Sequence, residues 1–264
     1  MILCLAGTSD ARELAVEMKK AGYDVITSVV TDNAALELEK KGLEVRVGRL
    51  SREEFSDYIN LQNIKVIVDA SHPFAEEASR NSIQAAADAE IPYIRYERAS
   101  QSFEDERITF VSSYEEAAVA AEGKKGVIML TTGSKTLQIF TDKLLGDPDI
   151  RLVARMLPRK DNMEKCAELG FPQKDIVAMQ GPFTKEFDKA LYRQFGVTVM
   201  ITKESGRAGS VSEKLEAAKE LGIDVIVIRR PEISYGIKYS IFSDVLDHLG
   251  RLAPNIKRRQ ESGL

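Results

Sequence analysis

Histidine is scarce in this chain, and one of its two copies, His72, sits in the run VDASHPFA (68–75) between a strand-like stretch and a proline. An imidazole at such a place can donate to an anion, pass a proton or pack beside a planar ligand, because its charge changes within the ordinary pH range. Helix initiation explains the same residues. Ser71 or His72 would be the cap, and Pro73 would take about the first helical position, where its missing N–H costs nothing. Proline also disfavours the α region for the residue before it, which holds His72 extended.

Other residues able to do chemistry gather in short runs that each follow an apolar stretch: GTSDAR (7–12), TDNAA (31–35), GRLSRE (48–53), TTGSK (131–135), ARMLPRK (154–160), QGPFTKE (180–186), TKESGRAGS (202–210) and RRPE (229–232). Together with His72 they collect Arg12, Arg49, Lys135, Arg155, Lys185, Lys203, Arg207 and Arg229. Arginine and lysine pair with carboxylates and phosphates through charge-assisted hydrogen bonds, so the set suits a ligand with several negative groups. Solubility and helix capping explain any one of these residues, and explain the whole set less well.

GTSDAR opens a helix directly after the first strand, which is the context of a dinucleotide fingerprint. Only Gly7 fits G-x-G-x-x-G, with Ser9 and Arg12 where the later glycines would stand. The standard fingerprint is therefore absent. Thr8 and Ser9 can cap the helix and also offer hydroxyls to a phosphate, and Arg12 lies one turn in. Asp32, at the end of the second strand, either bonds an adenosine ribose hydroxyl or caps the next helix. In the first case it disfavours a 2′-phosphate and tilts the choice toward NADH. TTGSK and TKESG are Gly-Ser turns whose N–H groups and neighbouring Lys135 or Lys203 suit anionic oxygens, but neither has the G-x-x-x-x-G-K spacing of an ATP-hydrolysing loop.

The elements that must position these loops are short Val/Ile/Leu-rich runs alternating with helical segments, from MILCLAG at the start to DVIVIRRP near residue 230. Such continuously apolar strands are covered on both faces, and the alternation predicts a parallel, doubly wound α/β sheet with ligands beyond the strands' carboxyl ends. The polar stretch 96–117 interrupts the rhythm, which predicts two lobes, 1–97 and 98–264, rather than one sheet of nine strands. The basic tail NIKRRQESGL reads as a frayed end.

With 264 residues and 44% hydrophobic content, the chain can bury one large core or two small ones. Its 37 basic and 41 acidic side chains are well mixed, for a net charge of −4, which argues against a nucleic-acid partner. The N-terminal apolar run lacks a preceding basic region, and no run approaches a membrane span, so a cytoplasmic protein is expected, without a membrane partner. Cys4 and Cys166 stand far apart and, with two histidines, give no metal site. On these grounds alone an oxidoreductase, a nucleotide-dependent transferase and a two-lobed small-molecule binding protein all remain open.

The order and identity of the loops narrow that choice. GTSDAR, then DASHPFA, TTGSK, ARMLP, QGPF and TKESG resemble the precorrin-6A reductase family of cobalamin biosynthesis, known as CobK in the aerobic route and CbiJ in the anaerobic one. The resemblance runs from residue 1 to about 231, and DASHPFA is its most distinctive piece. It implies NADPH- or NADH-dependent reduction of one macrocycle double bond in precorrin-6A or its cobalt complex. It also implies two Rossmann-like domains with a cleft between them, exchange of terminal strands, and room for transient hand-over to neighbouring pathway enzymes. On this resemblance the cofactor residues are Gly7, Thr8, Ser9, Arg12, Asp32, Ser71 and Thr132. Those for the carboxylates of the tetrapyrrole substrate are Arg49, Lys135, Arg155, Lys203, Ser205, Gly206 and Arg207, with His72 as a catalytic candidate.

Overall fold

The computed structural model describes residues 1–99, 105–204 and 211–252, the side chains of 211 and 212 excepted. Ser205, Gly206 and Arg207 therefore lie outside the described residues. The chain divides into two units, Met1–Ala99 with Pro231–Leu264, and Ser100–Arg230.

In the first unit β1 (Ile2–Leu5), β2 (Val25–Val29), β3 (Glu44–Val47), β4 (Val66–Asp69) and β5 (Tyr93–Tyr96) alternate with α1 (Ser9–Lys20), α2 (Asp32–Glu39), α3 (Arg52–Leu61) and α4 (Glu76–Asp88). The strands are parallel, in the order β5-β4-β1-β2-β3. Side chains alternate across a strand, so Ile2 and Cys4 join Leu14 and Met18 of α1 on one face, while Leu3 and Leu5 meet Phe55 and Ile59 of α3 on the other. Two-sided burial is why these strands read as unbroken apolar runs.

The second unit repeats the plan with β6 (Ile108–Val111), β7 (Gly126–Leu130), β8 (Ile150–Met156), β9 (Ile176–Ala178), β10 (Val199–Lys203) and β11 (Asp224–Ile228), and with α5 (Tyr114–Lys124), α6 (Leu137–Leu144), α7 (Lys160–Glu168), α8 (Lys185–Phe195) and α9 (Val211–Glu220). Its parallel order is β6-β11-β10-β7-β8-β9. The chain then adds β12 (Lys238–Tyr239) and α10 (Phe242–Leu252).

The first sheet takes its sixth strand from beyond the second unit in sequence, whereas all six strands of the second sheet come from its own unit. β6 follows β5 along the chain but pairs with β11, and β12 follows β11 but pairs with β5, Lys238 opposite Arg95 and Tyr239 opposite Tyr96. The residues after Pro231 thus belong with the first unit, not with the second as the expected 98–264 lobe had them. The reason is physical: the Arg95 and Glu97 N–H groups donate to the Ile237 and Tyr239 carbonyls, both at 2.9 Å, and α10 buries Val245 and Leu249 in the first core. There are twelve strands among the described residues rather than nine. β5 escapes an apolar-run reading because Arg95 interrupts it, β6 lies inside the polar stretch, and β12 has two residues. No described helix is long and apolar enough to cross a membrane.

Candidate functional site

At the carboxyl end of β1 the chain turns through Gly7. Its backbone is not left-handed, and a Cβ added there would meet nothing within 4 Å. Neither conformation nor packing demands glycine, which leaves the space over this loop open to a close ligand approach. Thr8 is the N-cap of α1, accepting the Ala11 N–H at 3.2 Å and donating to Asp10 Oδ1 at 2.5 Å. Its hydroxyl is thus engaged, whereas Ser9 is exposed in the first helical turn. Arg98 forks onto both oxygens of Asp10. Burial pushes the Asp10 carboxyl up, yet the Arg98 and Thr8 hydrogen bonds together hold it below the usual aspartate range. Arg12 points from α1 to Glu37 of α2 at 3.1 Å.

Beside this loop, Thr31 caps α2, accepting the Ala34 N–H at 3.4 Å. Asp32 is the first residue inside the helix and exposed, so the capping alternative for it is answered by its neighbour. Arg49, exposed after β3, has its carbonyl held by Arg46 Nη2 at 3.0 Å.

The DASHP segment is built on a buried charge network. Asp69, the last residue of β4, accepts from the Ser71 N–H at 2.9 Å, Ser79 Oγ at 2.6 Å, the Tyr93 hydroxyl at 2.6 Å and Arg95 Nη1 at 2.9 Å. Arg95 also donates to Ser71 Oγ at 3.2 Å and to Glu97 at 2.9 Å, and lies 4.8 Å under the Tyr235 ring. Only its Nε lacks a partner among the described residues. Burial raises the Asp69 carboxyl, but Arg95 and the three hydrogen bonds overcome it and hold it below the usual range, and burial beside Asp69 drives the Tyr93 phenol far up.

This network changes the reading of the helix start. Neither Ser71 nor His72 caps α4, and Pro73 is not its first residue: α4 begins at Glu76 after Ala75, without a side-chain cap. Residues 72–75 instead form a turn closed by the Ala75 N–H on the His72 carbonyl at 2.7 Å, with proline in the second position that suits its fixed φ. The Phe74 N–H donates to His72 Nδ1 at 3.2 Å, so the neutral ring carries its proton on Nε2. The imidazole is exposed at the strand's carboxyl edge.

In the second unit, Gly133 takes φ 85°, a conformation glycine alone adopts readily, and Thr132 is buried with its hydroxyl accepting from Thr136 at 3.3 Å. Ser134 donates to Asn162 of α7, and Lys135 is exposed. Lys203 ends β10 with its ammonium 5.5 Å from the Tyr114 ring centre. Burial, then the nearby Lys135 charge, push it down to about 8. Arg155 is buried, paired with Asp188 of α8, and stacked 4.5 Å over Phe183. Lys185 is drawn away to Glu220 at 2.8 Å, and Arg229 lies over Phe110.

The predicted residues therefore fall into two sets. Gly7, Thr8, Ser9, Arg12, Asp32, Arg49, Ser71 and His72 line strand ends of the first sheet, and Thr132, Lys135, Arg155 and Lys203 those of the second. The sequence reading overlooked Asp10 with Arg98, the Asp69–Arg95–Glu97 network and Asp188. Arg95 and Glu97 left a faint signal: opposite charges two apart in a strand share a face.

Comparison with known proteins decides among the functions left open. The family described as precorrin-6x reductase CbiJ/CobK matches residues 1–251. The chain belongs to this family. A CbiJ/CobK relative from Priestia megaterium, a cobalt-precorrin-6A reductase, is 68% identical over 249 residues, covering 94% of this chain and 98% of its own. The cobalt-precorrin-6A reductase of Salmonella typhimurium LT2 is 35% identical, with 87% of each chain covered. A solved structure of CobK precorrin-6A reductase matches with a TM-score of 0.79 at 25% identity over 98% of both chains. Membership of the CbiJ/CobK family makes the chain an oxidoreductase of cobalamin biosynthesis and removes the transferase and binding-protein readings.

Proposed function

We propose that this reductase acts on cobalt-precorrin-6A, reducing one macrocycle double bond to give the 6B form, with NADH as the preferred reductant. The observation that carries the substrate is the 68% identity, across 98% of its length, to a cobalt-precorrin-6A reductase. The cobalt enters as part of the substrate.

Open space over Gly7, the exposed Ser9 at the N-terminus of α1 and the neutralisation of Asp10 by Arg98 all fit a nicotinamide dinucleotide, whose phosphates the helix N–H groups would hold. When bound, it would supply a hydride to one carbon of the double bond, and a proton from water, a ligand carboxyl or His72 would complete its neighbour. That Thr31 rather than Asp32 caps α2 supports a role for Asp32 in accepting from a ribose hydroxyl and repelling a 2′-phosphate. Arg12, one turn into α1 and oriented by Glu37, is assigned to the phosphate end, and Ser71 and Thr132, both bonded within their own units, hold their loops in shape. Arg49, Lys135, Arg155 and Lys203 serve the acetate and propionate groups, with Ser205, Gly206 and Arg207 assigned to the same task from sequence alone. His72 contributes a donor at Nε2 that orients cofactor or substrate. The protein's main part is to position a polycarboxylate against the cofactor, and we place this reaction in the cytoplasm.

The test is a set of anaerobic assays pairing NADH or NADPH with cobalt-precorrin-6A or metal-free precorrin-6A, following loss of reduced-nicotinamide absorbance. The fastest turnover is expected for NADH with the cobalt macrocycle. No macrocycle-dependent oxidation of either nucleotide would sink the reading; better turnover with NADPH would refute the role of Asp32.

A further inference from the structure

The face of the second sheet that α8 and α9 cover carries unbalanced charge. Leu130 pairs with both Ala154 and Ile201, so one residue further on Thr131, Arg155 and Thr202 share a register row and a face. Two residues earlier on that face, Met129, Val153 and Met200 pack with Tyr192 of α8 and Leu215 of α9. The row is where the apolar core gives way to the carboxyl edge. Arg155 pairs there with Asp188, and Lys214 of α9 donates to Thr202 Oγ1 at 3.3 Å. Relative exposure is 7% for Arg155, 0% for Asp188 and 8% for Lys214.

Two buried cations thus share one carboxylate. Asp188 uses one oxygen for Arg155, while its Oδ2 is buried without a hydrogen-bond partner among the described residues. Lys214 has three donors and, among the described residues, one acceptor, a neutral hydroxyl. The other acids on the covering helices lie elsewhere: Glu216 and Glu220 pair with Lys185 and Lys189, and Glu186 and Glu213 are exposed. On the strand side, Lys203 projects to the opposite face and adds positive charge, and the Glu204 carboxylate accepts the Arg230 N–H at 3.0 Å. Burial, followed by Arg155, pushes the Lys214 ammonium down to about 8, so it still carries its charge at neutral pH. A buried charge without an acid destabilises the fold, and a methionine would fill a similar volume without that cost.

We propose that Lys214 and Arg155 together form a subsite for one carboxylate of the ligand, which supplies the negative charge that Asp188 alone does not. The proposal rests on reading the substrate as a macrocycle bearing several carboxylates. Thr202 holds the ammonium at the strand end, and Asp188 and Phe183 fix the guanidinium plane. Lys214 is then a substrate-binding residue, with Asp188 and Thr202 positioning it and its partner.

Lys214→Met and Lys214→Arg separate this role from a structural one. Macrocycle affinity is read from the change in cobalt-precorrin-6A absorbance on binding without cofactor, alongside KM, kcat and the Tm of the ligand-free enzyme. Lys214→Met should weaken macrocycle binding about ten- to a hundredfold and raise its KM in step, while kcat and the nucleotide KM stay within about twofold. Its Tm should equal or exceed that of the wild type, and Lys214→Arg should recover most of the affinity. Unchanged affinity in Lys214→Met overturns the proposal, as does an affinity loss that Lys214→Arg shares and a fall in Tm accompanies. If the wild type binds the macrocycle without consuming reduced nicotinamide, the reductase reading fails and the ratio of affinities still judges the subsite. If the wild type does not bind it, both fail.

Discussion

Arg95 and Arg155 are each buried at the carboxyl edge of a parallel sheet, and each lies against an aromatic ring, yet their surroundings differ in sign. Arg95 is held between two carboxylates, Asp69 and Glu97, with Ser71, Ser79 and Tyr93 completing the acceptors and donors around Asp69. Arg155 has one carboxylate and, near it, a second buried cation. The first arrangement is closed, since its charges are answered inside the protein and its effect is to fix the turn that presents His72. The second is open, since its remaining positive charge calls for an acid from outside. Buried ions are costly in either case, but only the open arrangement turns that cost into affinity.

The contrast can be broken first by stability measurements. Asp69→Ala leaves Arg95 with Glu97 alone and removes the acceptor of four groups, and should cost about 3–5 kcal/mol by urea or thermal unfolding. Arg155→Met leaves Asp188 close to Lys214, so it should cost less than half as much while raising the macrocycle KM by about tenfold or more. Equal losses of stability would erase the distinction. Gly7→Ala, which meets no protein atom, should leave Tm unchanged and raise the nucleotide KM by roughly tenfold, reading the space over the loop as ligand space.

Titration sharpens the comparison with opposite signs. Asp10 and Asp69 sit below the ordinary aspartate value of 3.8, so the stability they contribute is present above it and is lost as pH falls through their folded values. Lys203 and Lys214 are lowered from 10.5 to about 8, so between those values the unfolded chain binds more protons and the ligand-free enzyme should gain stability as pH rises. Macrocycle affinity should fall across that same window. A Tm series in parallel with macrocycle titrations checks both; a flat Tm from about pH 8 upward would deny the uncompensated lysines. The smallest effect belongs to Asp32→Asn, which should narrow the preference for NADH over NADPH by roughly threefold to tenfold. Because Thr31 caps the helix, stability should change by no more than about 1 kcal/mol.

Much of this was legible before any coordinates. Doubly covered strands leave continuous apolar runs, so nine of the twelve described strands and the loops after them could be read directly. Three strands could not, for reasons of context: a short edge strand carries little pattern, and Arg95 is tolerated in β5 only because Asp69 and Glu97 come to it from within the fold. The helix at Glu76 was placed three residues early, because a proline after a histidine suits a turn as well as a first helical position. Lys214 was invisible for another reason. In VSEKLEAAKE a lysine looks like part of a solvated face, and what makes it a buried cation is the sheet row beneath it, which the local sequence does not encode.

The return of β12 and α10 to the first unit has a consequence for the chain as it is made. When residue 230 leaves the ribosome, every strand of the second sheet exists, while β5 still shows a bare edge and the face of α1 that will meet α10 is uncovered. The unit begun first is thus the last that can close, and it must hold an unfinished edge through the synthesis of its neighbour. A cut on either side of the second unit leaves that unit's sheet whole but parts β12 and α10, or the link that carries them, from the first sheet, whose edge strand β5 is then unpaired. A chain shortened by its last helix and strand leaves the edge of β5 bare and the α1 face uncovered, although no residue proposed to touch the nucleotide has been removed.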